Sequence, residues 1–536
     1  MLRTPDGGLR CVVCTSSLDL GVDFSPVDQV IQVGSPKGVA RLIQRAGRSG
    51  HQPGVASRVI GVPTNALELI EFAAARDAIA RGEIERRAPV AKPLDVLSQH
   101  LVTAAMGGGF DEAALRREVR STSAYRNLTD REWQWTMEFV HRGGPTLGAY
   151  PEYARITSDT GHWKVADRRI ATRHRMNIGT IVSDASVVVQ YANGRTLGTT
   201  EESFVARLRK GERFVFAGRL LEFVRLHRMT ATVRRVTGRR GAVPRWQGGK
   251  MPLSTRLAEA VRARIGSEKP NDRRAPEMEA VRPLLDLQRS LSRLPREREL
   301  LIETIRLRDG YHAFVFPFGG QLAHEGLGAV ISLRLTRRFS ASITAVVNDY
   351  GLEFTMDDAL PLDKPLWREL LSPMNIVDDL LAAVNASELA RRQFREIARI
   401  AGLIHQGYPG EVKPNRHLQA SSDMFYEVFE QFDPENLLLA QARREVLEGQ
   451  LEAQRLRDIL EACADRELIL MEPRSVTPLA FPLLAETMRA TTVSSEAWED
   501  RIRRMIVRLE NSVTTPSRSA GNTAGNPNTH TRTTPR

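Results

Sequence analysis

The sequence lacks the features of several protein classes. It has only three cysteines in 536 residues, too few for a disulfide framework, which agrees with a reducing compartment. It has no run of about 18 apolar residues and no apolar signal-peptide core at its N-terminus. We therefore expect neither a membrane span nor export, and we predict a cytoplasmic protein.

Two motifs of nucleotide hydrolysis are also missing. No GxxxxGK[ST] loop occurs, so nothing cradles the phosphates of a nucleotide or presents a P-loop lysine. No DExH box is present to hold Mg²⁺. The segments GGKMP at 248–252 and DEAA at 111–114 are chance matches. Since no histidine or cysteine pattern fits a metal ligand set either, we predict no metal site in this chain.

The charge balance points to a partner instead. The chain carries 76 Lys and Arg against 64 Asp and Glu, a formal net charge of +12, which favours a polyanion. Nucleic acid is the leading interpretation, and an acidic membrane surface is the second. The length allows about three or four domains.

Residues 1–65 alternate apolar strands (CVVCT, DQVIQVG, SRVIGVP) with one helical stretch, GVARLIQRAGRSG. This order predicts an α/β unit with parallel strands, too short for a complete doubly wound domain. We expect Cys11 and Cys14, in the first strand, to be buried core thiols.

The next segment predicts three amphipathic helices, at 96–106, 111–121 and 130–141, and then a hairpin within 154–169. Thr129 and Glu132 form a capping-box pattern for the third helix. This order is typical of a winged helix, although a helical mini-bundle gives the same pattern.

Strands dominate residues 177–243, where Asn193-Gly194 is a strong hairpin signal and a small barrel or curled sheet is expected. A charged helical stretch (268–306), further strands (312–320, 328–338 and 342–349) and helices from 367 to 488 follow. A stripe at helical spacing, which we read as facing the core, contains Leu456, Ile459, Leu460 and Cys463.

Residues 13–51 carry two adjacent motifs in the order and spacing of motifs V and VI of superfamily 2 helicases: TSSLDLGVD, a strand, and a helix with QRAGRSG. Thr15 and Ser16 at a strand end can hold a nucleic-acid phosphate, and Arg48 can reach a transferring phosphate as an arginine finger. A lone RxxR would only indicate a solvated basic helix end. We predict catalytic roles for Arg48 and Arg45, and ATP contacts for Gly21, Asp23, Gln44 and Arg48.

The segment GSPKGVARLIQRAGRSGH resembles the corresponding segment of the Lhr (large helicase-related) family. Its last residue, His51, stands where many helicases have a third arginine. The segments at 176–219, 244–261 and 421–448 are similar to the family's DEAD/H-associated domain, and in detail to bacterial ligase-associated DEXH-box helicases. The resemblance implies two RecA-like domains, a winged helix and a large Lhr-specific domain, in an enzyme that translocates on single-stranded DNA using ATP.

On this basis we expect an α/β remnant of the second RecA-like domain, a winged-helix α+β domain, a large α+β domain containing a small β-barrel, and a disordered tail. Their expected bounds are 1–87, 88–175, 176–511 and 512–536. ATP and Mg²⁺ should bind only when the missing first RecA-like domain is present. A separate chain is one possible source of that domain.

A second DNA contact is predicted in the basic strand region. Twelve Lys or Arg occur between Ser203 and Arg245, interleaved with phenylalanines that we assign to the core. Arg245 and Trp246 follow, and a tryptophan between arginine and glycines is suited to stack on an unpaired base. The alternative is that Trp246 covers the end of the barrel.

Two functions follow from the sequence. The first is the C-terminal part of an ATP-dependent DNA helicase that acts in DNA repair with a nuclease or ligase. The second is a non-catalytic nucleic-acid-binding module or split-helicase subunit. In both, the chain alone should not hydrolyse ATP.

Overall fold

A computed structural model describes most of the chain. The described residues are 11–14, 27–50, 54–85, 90–159, 161–179, 186–205, 208, 210–216, 219–227, 229–236, 252–267, 274–339, 341, 343–383, 386–405, 407–408, 411–412, 415–450, 452–491, 503 and 506–507. The predicted tail at 512–536 lies outside them. No helix among the described residues is long and apolar enough to cross a bilayer.

The N-terminal unit (residues 27–80) is a parallel strand–helix–strand motif followed by a second helix. Its elements are β1 (Val30–Val33), α1 (Val39–Ala46), β2 (Val59–Val62) and α2 (Ala66–Ala80). β1 and β2 pair in parallel, with Val30 opposite Val59, so α1 is the crossover that a parallel pair needs. Asn65 begins α2 by accepting from the amides of Leu67 and Glu68.

The prediction that Cys11 and Cys14 are buried is wrong. Both thiols are exposed, in an irregular segment at 11–14. Within the described residues the sheet of the N-terminal unit has two strands, β1 and β2. The segment 11–14, which was expected to be a strand, pairs with neither of them. Its apolar composition alone does not bury it.

One face of this two-stranded sheet is apolar and exposed. Because of the register, Ile31 and Val33 of β1 lie beside Ile60 and Val62 of β2, and these side chains are 57%, 65%, 46% and 41% exposed. The opposite face is covered by α2, whose Phe72 ring lies directly over Gly61. Among the described residues the sheet therefore has one covered face, whereas parallel sheets are normally covered on both.

We predict that the backbone amides of β1 and β2 exchange hydrogen faster than those of the larger sheets at 186–235 and 299–356. Few apolar contacts hold the small sheet, so local opening costs little free energy. Hydrogen exchange followed by mass spectrometry of the whole chain measures both regions in one sample. Equal protection would show that another surface covers the exposed face.

Residues 94–165 form a winged helix, which confirms that prediction. Its elements are α3 (Leu94–Met106), β3 (Phe110–Asp111), α4 (Glu112–Ser121), α5 (Asp130–Arg142), β4 (Ile156–Asp159) and β5 (His162–Val165), with sheet order β3-β5-β4. The capping box of Thr129 and Glu132 is present at the start of α5. Short helices at α6 (Gly144–Leu147) and Pro151–Tyr153 precede the wing, and α7 (Arg168–Asn177) follows it.

The next sheet is open rather than a closed barrel. Its elements are β6 (Ser186–Tyr191), β7 (Thr196–Glu201), α8 (Glu202–Val205), β8 (Arg213–Phe216), β9 (Arg219–His227) and β10 (Thr230–Arg235), in the order β7-β6-β10-β9-β8. Asn193-Gly194 does form the turn between β6 and β7. The sheet curls so far that Gly198 of one edge strand lies against the Phe216 ring of the other. Since no ladder joins β7 to β8 in the described residues, the predicted barrel is not confirmed.

The remaining residues, 252–491, are called the accessory domain here. Its helices are α9 (Thr255–Gly266), α10 (Pro276–Leu291), α11 (Gln321–Phe339), α12 (Lys364–Leu370), α13 (Ile376–Ala383), α14 (Ala386–Ile400), α15 (Asn415–Phe432), α16 (Leu437–Glu445), a π-helical turn (Val446–Gln450), α17 (Ala453–Asp465) and α18 (Phe481–Thr491). Its strands are β11 (Glu299–Leu307), β12 (Gly310–Val315), β13 (Ile343–Val347), β14 (Leu352–Met356), β15 (Gly407–Tyr408), β16 (Glu411–Val412) and β17 (Glu467–Met471). The main sheet has the order β13-β14-β12-β11-β17.

Three sequence predictions fail in this domain, and the first is the run of helices expected over 367–488, which contains the strand β17. The helix expected over 268–306 ends at Leu291, and Glu299–Leu307 is the strand β11, buried on both faces between β12 and β17. The strand expected at 328–338 belongs to the helix α11, whose buried side chains at 327, 330, 331 and 335 keep a helical spacing. The stripe predicted at 456–463 is buried as expected.

The accessory domain packs against the N-terminal unit and against the winged helix. Helix α2 lies against α9 and α10 and shares one hydrophobic core with them and with the main sheet. The winged helix shares a second core with α14, α15 and α16. The accessory domain therefore holds the N-terminal unit and the winged helix through separate cores.

Candidate functional site

The C-terminal end of α1 gathers the predicted arginines. Arg45 Nη1 donates to Gln32 Oε1 at 2.6 Å, and Gln32 lies on the neighbouring strand β1. Gln44 is exposed, while Arg45 and Arg48 are half-buried. The structure thus brings Gln44, Arg45 and Arg48 to the C-terminal end of α1, where Arg48 follows shortly after the last helical residue, Ala46.

The same helix is fixed at its other end. The amides of Val39 and Ala40 donate to the two carboxylate oxygens of Glu85 at 2.6 and 2.7 Å, an anion at the positive end of the helix dipole. Burial raises the pKa of Glu85, but hydrogen bonds from Ser254, Ala40 and Val39 outweigh it, and the pKa is lowered. Glu85 therefore stays ionised at neutral pH and orients α1.

Ser49 fastens the arginine end. It is buried, its hydroxyl donates to the Ala46 carbonyl at 2.8 Å, and it accepts from the Arg58 amide at 2.8 Å. Gly50 has a φ of +65°, and a Cβ there would meet the Ala56 backbone at 3.0 Å. The Ser-Gly pair after Arg48 therefore belongs to a tight turn that ties α1 to β2.

Sequence reasoning missed Gln32, Ser49 and Glu85. Ser49 stands inside the motif that was recognised, so its position in the motif was an available signal. Gln32 and Glu85 act across space on α1, and no local pattern indicates either one.

The other predicted site residues cannot be placed. Thr15, Ser16, Gly21, Asp23, Arg245 and Trp246 all lie outside the described residues. Their roles remain predictions.

The curled sheet separates its aromatic and basic side chains. Phe214 and Phe223 are buried, and Phe204 and Phe216 pack against the same core, which confirms that these rings are structural. Basic side chains of β8, β9 and β10 are exposed, among them Arg213, Arg225 and Arg235. Any contact of this sheet with an anion would therefore use its arginines rather than its rings.

A parallel strand–helix–strand unit with motif VI arginines at the end of its helix, followed by a winged helix, matches the C-terminal part of a superfamily 2 helicase. Three family models match the chain. They are the helicase conserved C-terminal domain at residues 1–52, the winged helix domain of large helicase-related protein at 77–243, and the DEAD/H associated family at 294–480. Together these matches support assignment of the chain to the C-terminal portion of the Lhr family.

Curated relatives agree with this assignment. The chain is 27% identical over 503 residues to ATP-dependent helicase Lhr-Core protein 2 of Thermococcus barophilus, covering 91% of this chain and 58% of the relative. It is 28% identical over 503 residues to ATP-dependent helicase Lhr-Core of Methanothermobacter thermautotrophicus, covering 90% and 58%. The chain thus spans little more than half the length of these relatives.

A solved structure shows the same fold. The structure of Mycobacterium smegmatis helicase Lhr bound to ssDNA and AMP-PNP superposes with a TM-score of 0.66 at 23% sequence identity, covering 88% of this chain and 58% of that one. The fold formed by the N-terminal unit, the winged helix and the accessory domain therefore also occurs in that solved structure.

Proposed function

We propose that this chain is the DNA-binding and arginine-finger part of an ATP-dependent DNA helicase or translocase. The observation that carries the proposal is the end of α1, where Arg45 and Arg48 are presented by a helix fixed at both ends. The relatives that share this part are named ATP-dependent helicases, which supports the same function.

The residues on α1 suit a nucleotide polyphosphate. Guanidinium groups bind phosphate oxygens through paired hydrogen bonds, and Gln44 adds an exposed amide at the same end of the helix. Within the described part of the chain, no cluster of three His, Cys, Asp or Glu could hold a metal ion. The P-loop and the ligands of Mg²⁺ would come from a first RecA-like domain, on this polypeptide or on another.

Single-stranded DNA is the proposed nucleic-acid partner. The structurally similar Mycobacterium protein was solved with ssDNA, and this chain has exposed arginines on the curled sheet. We assign phosphate contacts to Thr15 and Ser16, and a base contact to Trp246 beside Arg245. Action in repair with a nuclease or ligase partner extends this proposal.

Trp246→Ala should weaken binding of single-stranded DNA by about 1–3 kcal/mol, the usual range for one base–aromatic contact. The dependence of the binding constant on salt should hardly change, because no phosphate contact is lost. Fluorescence anisotropy of a labelled oligonucleotide, titrated at several salt concentrations, measures both quantities. If the variant binds as tightly as the parent and only unfolds more easily, Trp246 is a core residue.

Arg225→Ala is the matched comparison. Arg225 is exposed on β9, and loss of one phosphate contact should lower the slope of log K against log salt by about 0.7. The two variants therefore separate stacking from charge. An unchanged slope would remove Arg225 from the DNA contacts.

A further inference from the structure

The loop between β1 and α1 is held by an ion pair with the accessory domain. Lys37 Nζ lies 2.8 Å from Asp349 Oδ2, with side chains 27% and 11% exposed. Lys37 has a φ of 60°, a left-handed conformation that is costly for a residue with a Cβ and persists only where the surroundings impose it. The ion pair therefore holds the loop in a conformation that it would not adopt by itself.

Asp349 also holds two other elements. Its Oδ1 accepts from the Leu253 amide at 2.9 Å and from the Gln321 amide at 3.1 Å. Gln321 is the first residue of α11, and Leu253 comes shortly after the segment that carries Trp246. One carboxylate thus connects the loop before α1 with the end of the proposed base-contacting segment.

A second connection runs through the next residue. The Ser254 amide donates to the Lys37 carbonyl at 2.9 Å, and the Ser254 hydroxyl donates to Glu85 Oε1 at 2.6 Å. Glu85 is the carboxylate at the N-terminus of α1. Residues 253–254 are therefore bonded both to the loop that leads into α1 and to the group that orients α1.

A buried carboxylate completes the junction from the opposite side. Glu71 of α2 is 1% exposed and accepts hydrogen bonds from the hydroxyls of Ser35 and Tyr350. Ser35 in turn accepts from the Lys37 amide at 3.1 Å. The loop thus has polar partners on α2 and on the accessory domain, and a displacement of residues 253–254 would reach α1 through bonded groups.

We propose that Lys37 and Asp349 are positioning residues that couple the segment bearing Trp246 to the arginine-bearing helix α1. Binding of single-stranded DNA at that segment shifts residues 253–254, and the junction passes the shift to Arg45 and Arg48. This inference rests on the proposed function, because it takes the segment before Leu253 to be a DNA contact.

The test is hydrogen exchange of α1 in the full chain, with and without a saturating single-stranded oligothymidylate. In the parent, DNA should slow exchange of the α1 peptide. In Lys37→Met, the oligonucleotide should still bind, but the DNA-dependent slowing in α1 should be lost. Lys37→Arg keeps the cation and should restore it.

Two further variants guard against misfolding. Lys37→Gly removes the cation and also removes the strain of a left-handed φ, which glycine adopts freely. It therefore serves as the test if Lys37→Met fails to fold, and it should lose the DNA-dependent slowing in α1 to the same extent. Asp349→Asn keeps an acceptor for the Leu253 and Gln321 amides and removes only the charge that faces Lys37. A reduced response in Asp349→Asn is expected.

Lys92→Met is a closely matched control. Lys92 Nζ lies 2.6 Å from Glu132 Oε1, with side chains 26% and 17% exposed, and its φ is 50°. This pair lies in the winged helix and should leave the DNA-dependent response of α1 intact. Loss of the response in Lys92→Met would overturn the inference, because a general loss of stability would then explain both variants.

The remaining outcomes separate the inference from the proposed function. If the parent binds the oligonucleotide without a change in α1, or if Lys37→Met responds like the parent, the coupling is refuted and the proposed function stands. If the parent does not bind the oligonucleotide, the proposed function fails and the inference fails with it.

Discussion

Arg48→Ala should lower ATP turnover by about 10³–10⁵-fold, the range found for arginine fingers in other phosphoryl-transfer enzymes. The expected loss is large because a guanidinium stabilises charge on the transferring phosphoryl group and has no substitute in alanine. Binding of single-stranded DNA should remain nearly unchanged, since the proposed role of Arg48 is at the nucleotide and not at the DNA.

Turnover must be measured with a polypeptide that supplies the P-loop and DExH box of an Lhr-family helicase. This chain alone should show only background hydrolysis, with or without DNA, because neither motif occurs in it. Arg289→Ala is a suitable control, since it removes an arginine from the C-terminal end of another helix, α10. If Arg48→Ala keeps the parental rate, Arg48 is not the finger.

Glu353→Ala should destabilise the accessory domain by about 3–5 kcal/mol, because it leaves a buried charge without its partner. His312 Nδ1 lies 2.7 Å from Glu353 Oε1, and both side chains are fully buried. His312 Nε2 lies 3.3 Å from Asp309 Oδ1. With a carboxylate oxygen at each ring nitrogen, the imidazole is held in its protonated form. Urea unfolding of parent and variant measures the loss.

Asp309→Ala provides the comparison. The Asp309 side chain is 47% exposed, and an ion pair with an exposed partner contributes at most about 1 kcal/mol. The two variants remove carboxylates from opposite sides of the same ring. Equal losses would show that burial of Glu353 does not determine the cost.

The His312 pair also predicts how stability depends on pH. Burial lowers the pKa of His312, but hydrogen bonds and charge from Asp309 and Glu353 raise it more, from 6.5 to about 9. Because the folded pKa lies above the unfolded one, the stabilisation is fully present below about pH 6.5 and is lost as the pH rises through about 9. The free energy of unfolding should fall across that window in the parent and less in His312→Gln.

Local signals in the sequence predicted local structure well. The capping box at Thr129 and the turn at Asn193-Gly194 need only a few neighbouring residues. The strand β11 was misread because it lies inside a sheet, where burial on both faces removes the alternation that identifies a strand. The helix α11 was predicted as a strand because, over a short window, its apolar residues fit the two-residue period of a strand as well as the 3.6-residue period of a helix.

In the candidate site, too, the residues of a local motif were predicted and the contacts between distant residues were not. The motif placed Gln44, Arg45 and Arg48 on one helix end, where the structure has them. The groups that orient this helix lie far away in the chain: Lys37 and Asp349 are 312 residues apart. A single sequence contains no periodicity that relates two such positions, so contacts of this kind follow only from the folded structure.

The shared core of the winged helix and α14–α16 has a consequence for inheritance. Phe139 and Trp133 of the winged helix belong to the same core as Phe394 and Phe429, although the curled sheet and half of the accessory domain lie between them in the chain. A recombination event that exchanged only the winged-helix segment between two relatives would join mismatched halves of one core. The two distant segments should therefore be inherited together, and substitutions on one side should be compensated on the other.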